Sequence, residues 1–211
     1  MRNKNNEFIN NFSNIKVLTG ISTLTIINNE EAPPLFLMHK RNIDSVSYAM
    51  NNYHVIPAEE FQPSSKAAAS FKEDLDFWKN IMREYSEEIG CNPEFDGNSG
   101  KHYDYEREPL KTLNREKQKD NIKLYFLGFG LDPLTLQGEI LTTCVFKNNT
   151  FNKIFSDIHD KNKEGDIISD YHRWGRPFNK ENIELYLNEQ TLAAGETILK
   201  LAWKHKDILL Q

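Results

Sequence analysis

The sequence predicts a mixed α/β layer fold in which helices cover both faces of a sheet, and three observations carry that reading. Runs rich in Val, Ile, Leu and Thr stand before and after one long helical segment. That segment repeats its apolar residues at the spacing of a single buried face, and two or three further helical patterns close the chain. Pattern alone leaves the strand order open.

Residues 1–14 are polar and Asn-rich and read as a leader, with a short apolar group at Phe8, Ile9 and Phe12. The remainder, 15–211, reads as a single globular domain whose last part, from about 179 to 211, is a helical extension. KVLTGISTLTIIN (16–28) has the β-branched texture and partial alternation of a strand and stops at the turn-forming cluster NNEEAPP. PLFLMHKR (34–41) and YHVIP (53–57) give two shorter strands. PAEEFQPSSKAAAS (57–70) is a loop leading into the long helix. The polar stretch from Asn92 to Asp120 forms an excursion with a short helix inside it, close to any site on the helix before it. IKLYFLGFGLD (122–132) and EILTTCVFK (139–147) are strands joined by the turn PLTLQG. NTFNKIFSDIHD (149–160), NKENIELYLNEQ (179–190) and LAAGETILKLAWKHKDILL (192–210) are helices, the second with Asn179 as N-cap.

Composition narrows the function. At 211 residues and 38% hydrophobic content the chain can bury one sizeable core. Its net charge of −5 argues against direct nucleic-acid binding, which calls for a basic surplus to neutralise phosphates. Cys91 and Cys144 are the only cysteines, and their separation makes neither a disulfide framework nor a metal knuckle, which suits a reducing cytoplasm. No apolar run reaches the roughly 18 residues of a membrane span, and the N-terminus has no apolar segment of signal-peptide length, so a cytoplasmic protein without a membrane partner is expected. The six histidines show no paired zinc-ligand spacing. P-loop, dinucleotide and nucleophile-elbow motifs are also missing.

The chemistry concentrates in REYSEEIG, residues 83–90. Phe71, Leu75, Trp78, Met82, Tyr85 and Ile89 recur at alternating spacings of four and three, which marks one buried helix face. At 100° per residue Glu84, Glu87 and Glu88 fall in an arc of about 100° on another face, where like charges three and four residues apart repel. A solvated acidic face accounts for them without further function. A bound cation would compensate them, because Mg²⁺ takes oxygen ligands from a few carboxylates together with substrate phosphate.

Arg83, Glu84, Tyr85, Glu87, Glu88, Gly90 and Cys91 follow the order Arg-Glu-apolar-x-Glu-Glu-x-Gly-apolar, and in this the chain resembles the second half of the Nudix box. The resemblance spans roughly 16 to 190. It implies a Nudix-type α/β/α sandwich with a mixed sheet, here with C-terminal helices added. It further implies a Mg²⁺ (or Mn²⁺) site on Glu84, Glu87 and Glu88 and hydrolysis of a nucleoside diphosphate derivative or related pyrophosphate. Arg83 would hold a carboxylate in position, Glu87 or Glu88 would be the general base, and a homodimer is in keeping with the family. Upstream the pattern departs: Ala69 and Leu75 stand where the box has Gly and Glu, and Pro57-Ala58-Glu59 stands for Pro-Gly-Gly. Either Glu59, Glu60, Glu73, Asp74 or Asp76 substitutes for the absent Glu, or the domain has become a catalytically inactive nucleotide-sensing domain acting through a protein partner. Downstream, Glu164 is the candidate for a further metal ligand, with Glu139 as its rival, followed by Trp174 and the helix from Asn179. Arg41, Glu59 and Tyr103 are candidates for binding the small-molecule nucleotide or diphosphate ligand. Lys111, Arg115, Lys117 and Lys119 are interleaved with Glu106, Glu108, Glu116 and Asp120, which reads as a solvated mixed-charge helix.

Overall fold

The computed structural model describes residues 17–41, 51–90, 92–93, 103–132, 136–156, 165–170 and 173–211. In chain order the strands are β1 (Thr19–Asn28), β2 (Leu35–Phe36), β3 (Met38–Arg41), β4 (Tyr53–Val55), β5 (Ala58–Glu60), β6 (Ile122–Leu131), β7 (Gly138–Lys147), β8 (Gly165–Ile167), β9 (Ser169–Asp170), β10 (Arg173–Trp174) and β11 (Arg176–Pro177). The helices are α1 (Ala68–Glu73), α2 (Phe77–Glu84), α3 (Leu110–Gln118), α4 (Asn148–Ile154), α5 (Lys180–Asn188), α6 (Ala193–Lys204) and α7 (Lys206–Leu209). Among the described residues no helix is long and apolar enough to cross a membrane.

The main sheet has the order β11-β2-β1-β7-β6, with β5 also paired to β1. β1 and β7 run parallel from Thr19↔Gly138 to Asn28↔Lys147, and the other pairings are antiparallel, so the sheet is mixed. Gly20 through Ile27 are all buried, because helices lie on both faces of β1. Ile21 and Ile27 join a core with Trp78, Met82, Tyr85, Ile140, Phe146 and Phe151. Leu24 and Ile26 join a second core with Leu141, Val145, Ile183, Ile198 and Leu199. The threonines in this strand are satisfied internally: Thr25 donates to the Ile56 carbonyl at 2.7 Å and pairs with the Tyr85 hydroxyl at 2.8 Å. Beside this sheet stands a smaller one of order β4-β3-β8.

Two sequence expectations need correction. The single long helix is two. α1 ends before Asp74, and Asp76 caps α2 by accepting the Lys79 amide at 2.9 Å. An Asp that binds its own downstream amide starts a new helix, so Phe71 and Leu75 fall off the buried face and are each 55% exposed, while Trp78, Met82, Tyr85 and Ile89 keep it. The stretch 57–70, expected as loop, begins with β5, whose Ala58, Glu59 and Glu60 pair with Ser22, Ile21 and Gly20. Elsewhere Asn179 caps α5 as expected, accepting the Asn182 amide at 2.9 Å.

Candidate functional site

α2 carries Arg83 and Glu84 in its last turn and runs on into a π-helical turn over Tyr85–Ile89, closed by the Gly90 amide on the Tyr85 carbonyl at 2.9 Å. Single π turns recur at functional sites, because the extra residue redirects side chains without ending the helix. A Cβ on Gly90 would lie 2.7 Å from the Ser86 carbonyl oxygen, so a side chain there would crowd the closing turn. Tyr85 and Ile89 stay in the core, Glu84 and Glu88 are buried beside them, and Glu87 is half-buried. The Glu88 carboxylate accepts the Ala58 amide at 2.8 Å, which ties the end of the helix to the first residue of β5, next to Glu59.

Arg83 turns the other way. Its guanidinium donates to the Gln62 carbonyl at 2.8 Å and to the Tyr105 hydroxyl at 3.3 Å, and it lies 3.9 Å from Asp74. Asp74 is fully buried and accepts the Ser64 amide at 3.3 Å and the Ser64 hydroxyl. Of the residues expected to substitute for the absent box Glu, Asp74 is the one that reaches Arg83, and together they pin the loop 62–65. Tyr103 is buried, with Arg83 over its ring at 6.0 Å and Arg107 donating to its hydroxyl at 2.6 Å. Burial pushes the Tyr103 phenol above its usual pKa, Arg107 pulls it back, and the Glu87 carboxylate adds to the rise. α3 bears the mixed charges as expected, with Lys119 and Arg115 on Glu116 at 3.2 and 3.3 Å.

Neither family models nor curated proteins give a match to the sequence. Solved structures do. The Nudix domain of Shewanella oneidensis NrtR, solved with ADP ribose, aligns over 95% of this chain and 97% of its own, with a TM-score of 0.51 at 9% identity. A Nudix hydrolase from Alicyclobacillus acidocaldarius aligns over 89% and 91%, with a TM-score of 0.50 at 12% identity. The chain has a Nudix-like fold. The α/β sheet flanked by helices that the sequence predicts is the one observed.

Within this Nudix-like fold the remaining expected residues separate. Glu164 lies outside the described residues. Its rival Glu139 is on the opposite face of the sheet from the glutamates: it neighbours Leu141 of the second core, whereas Ile140 belongs to the first, and its carboxylate takes the Ser22 hydroxyl. Alternation along β7 therefore removes Glu139 as a ligand shared with Glu84, Glu87 and Glu88. Arg41 ends β3 beside His39 and His54, whose pKa values it lowers.

That histidine pair is a feature sequence reasoning missed. His39 and His54 face each other across β3 and β4, ring centroids 6.3 Å apart, and both are buried. The Ser22 hydroxyl joins Glu139 to His54 Nε2 at 3.1 Å. Burial, with Arg41 adding to it, holds His39 down to about 3. His54 is also held well below the usual imidazole range, by burial first and then by His39 and Arg41. Both are neutral near pH 7. The signal lay in the register of a hairpin whose connecting loop carries no pattern.

Among the described residues no three His, Cys, Asp or Glu side chains are gathered closely enough to enclose a metal ion. In kind, the donors at the end of the helix suit a hard divalent cation: they are all carboxylate oxygens, and two of the three glutamates are buried.

Proposed function

We propose that this chain is a Mg²⁺- or Mn²⁺-dependent hydrolase of a nucleoside diphosphate derivative or related pyrophosphate. The observation that carries the reading is the placement of REYSEEIG: on a Nudix-like fold, Glu84 and Glu88 are buried at the end of the helix and Glu88 is locked to the Ala58 amide. A nucleotide-derived ligand is supported by the ADP ribose in the NrtR structure.

Glu84, Glu87 and Glu88 hold the cation in this reading. The bound ion supplies neutralisation of the diphosphate and an acidified water. Glu88, whose carboxylate accepts the Ala58 amide, and Glu87, which is the more accessible, would be the candidates for the general base. Arg83 acts at one remove. With Asp74 it holds the loop 62–65, so that β5 and its Ala58 amide stay in place for Glu88. Arg41 and Glu59 are the proposed contacts to the rest of the ligand, whereas Tyr103, expected among them, is buried with its hydroxyl held by Arg107.

The test is turnover of nucleoside diphosphate sugars, dinucleotides and nucleoside triphosphates by wild type, Glu87→Gln and Glu88→Gln. Activity abolished in at least one variant with the fold intact supports the reading, and wild-type rates in both overturn it. The rival, a ligand-sensing domain without turnover, is favoured by the interruption of the helix at Asp74–Asp76 and by Ala58, Glu59 and Ala69 where the box pattern has glycine. Ligand binding without turnover of any compound would select it.

A further inference from the structure

Phe61, Phe77, Phe126 and Phe129 form one aromatic surface on the face of the main sheet that α2 covers. Phe61, just past β5, meets Phe77, the first residue of α2, edge to face with centroids 5.3 Å apart, and Phe77 stacks on Phe126 of β6 at 5.9 Å. Phe126 and Phe129 lie opposite Thr142 and Ile140 of β7, and Ile140 shares its core with Trp78 and Met82 of α2, so both rings stand on that face. They are 58% and 57% exposed, and Phe77 is exposed beside them. A contiguous apolar surface of this kind marks an interaction site. It runs across β5, β1, β7 and β6, about 14 Å at the usual strand spacing.

The described chain begins beside this surface. A Cβ on Gly138 would stand 2.7 Å from the Phe129 ring and 2.8 Å from the Val17 side chain, so these two side chains meet there, and the Leu18 carbonyl accepts the Gly138 amide at 3.0 Å. Residues 1–16 precede Val17 and lie outside the described residues; they include Phe8, Ile9, Phe12 and Ile15 among mostly polar neighbours. Phe8, Phe12 and Ile15 are spaced by four and three, the pattern of a single apolar helix face, and so few apolar residues cannot enclose a core of their own. From Phe8 to Ile15 a helix rises about 10 Å, so the segment can lay these side chains along the surface without leaving Val17. Charge agrees with such a contact: Arg2, Lys4 and Lys16 outnumber Glu7, whereas the whole chain carries −5.

We infer that the segment from Phe8 to Ile15 docks within its own chain on Phe61, Phe77, Phe126 and Phe129. The docked segment ties together the end of β5, the start of α2 and the edge strand β6. It thereby braces the two elements that position the glutamates, since the Ala58 amide of β5 holds Glu88 and α2 carries Glu84. The inference does not depend on the proposed hydrolase activity.

Fluorine NMR of the full chain labelled with 4-fluorophenylalanine tests it. The Phe126 and Phe129 resonances, assigned by Leu substitution, are expected to move in the Phe8→Asp/Phe12→Asp variant, whose changes lie outside the described residues, while that of Phe178 in the second core stays. Unmoved Phe126 and Phe129 resonances overturn the inference. Resonance positions that depend on protein concentration would assign the surface to a second copy and overturn it as well. Chymotrypsin supplies a second readout: cleavage after Phe8 and Phe12 should be slow in wild type and about tenfold faster in Phe126→Ser/Phe129→Ser, with circular dichroism to confirm folding. Equal cleavage rates in the two folded proteins overturn the inference.

Discussion

Lowering the pH from 7 to 5 should destabilise the folded chain through His39, and by an amount that can be worked out. The side chain is 1% exposed, its ring faces His54 across the hairpin, and Arg41 lies on the same strand. Around it, Glu139 reaches the pair only through Ser22, and Gly195 of α6 packs on His54, where an added Cβ would stand 2.8 Å from Nδ1. Folding holds the His39 pKa at about 3, against 6.5 when exposed. The unfolded chain therefore binds a proton that the folded chain refuses between these values. The penalty is absent above pH 6.5, grows as pH falls, and levels off below about 3. At about 1.4 kcal/mol per pH unit, His39 alone removes about 2 kcal/mol by pH 5 and approaches 5 kcal/mol in strong acid. His54, depressed in the same direction, adds to the loss. Urea unfolding followed by tryptophan fluorescence at pH 7 and pH 5, on wild type and His39→Leu, measures it. The variant should lose about 2 kcal/mol less than wild type over that interval. Parallel losses in the two proteins would refute a buried neutral imidazole at this position.

Three substitutions probe the scaffold under the glutamates. Asp74→Asn takes the buried carboxylate from Arg83 and Ser64, and a loss of about 1–3 kcal/mol is expected, with faster proteolysis of the loop 62–65. Gly90→Ala places a methyl 2.7 Å from the Ser86 carbonyl, and overpacking of this kind costs about 1–3 kcal/mol, visible in thermal unfolding. Asp76→Ala removes the α2 cap and should cost about 1 kcal/mol, read by urea unfolding; no change there would mean that the break between α1 and α2 is set elsewhere.

What the sequence made legible was whatever had a period or a named turn chemistry. Trp78, Met82, Tyr85 and Ile89 are on one buried face because their spacing survives the π turn, and Asn179 caps α5 because its side chain needs only a local amide. Phe71 and Leu75 continue the same spacing but are exposed, since the capping interaction of Asp76 outweighs the hydrophobic pattern and restarts the helix. β5 and β8 to β11 have two or three residues each, too few for an alternation to be read, and exist because neighbouring strands supply their hydrogen bonds. At the site, the glutamates were visible as a cluster, but the contact of Glu88 with Ala58 spans 30 residues and that of Ser22 with Glu139 spans 117. Such pairings depend on strand order, which no local pattern encodes.

The claim most in need of a direct test is that Glu84, Glu87 and Glu88 hold a divalent cation. Calorimetric titration of wild type and the Glu84→Gln/Glu88→Gln double variant with Mg²⁺ and with Mn²⁺ provides it. Saturable binding to wild type that disappears in a folded double variant is the predicted result; indistinguishable titrations of the two proteins would show that the three carboxylates do not hold a divalent cation.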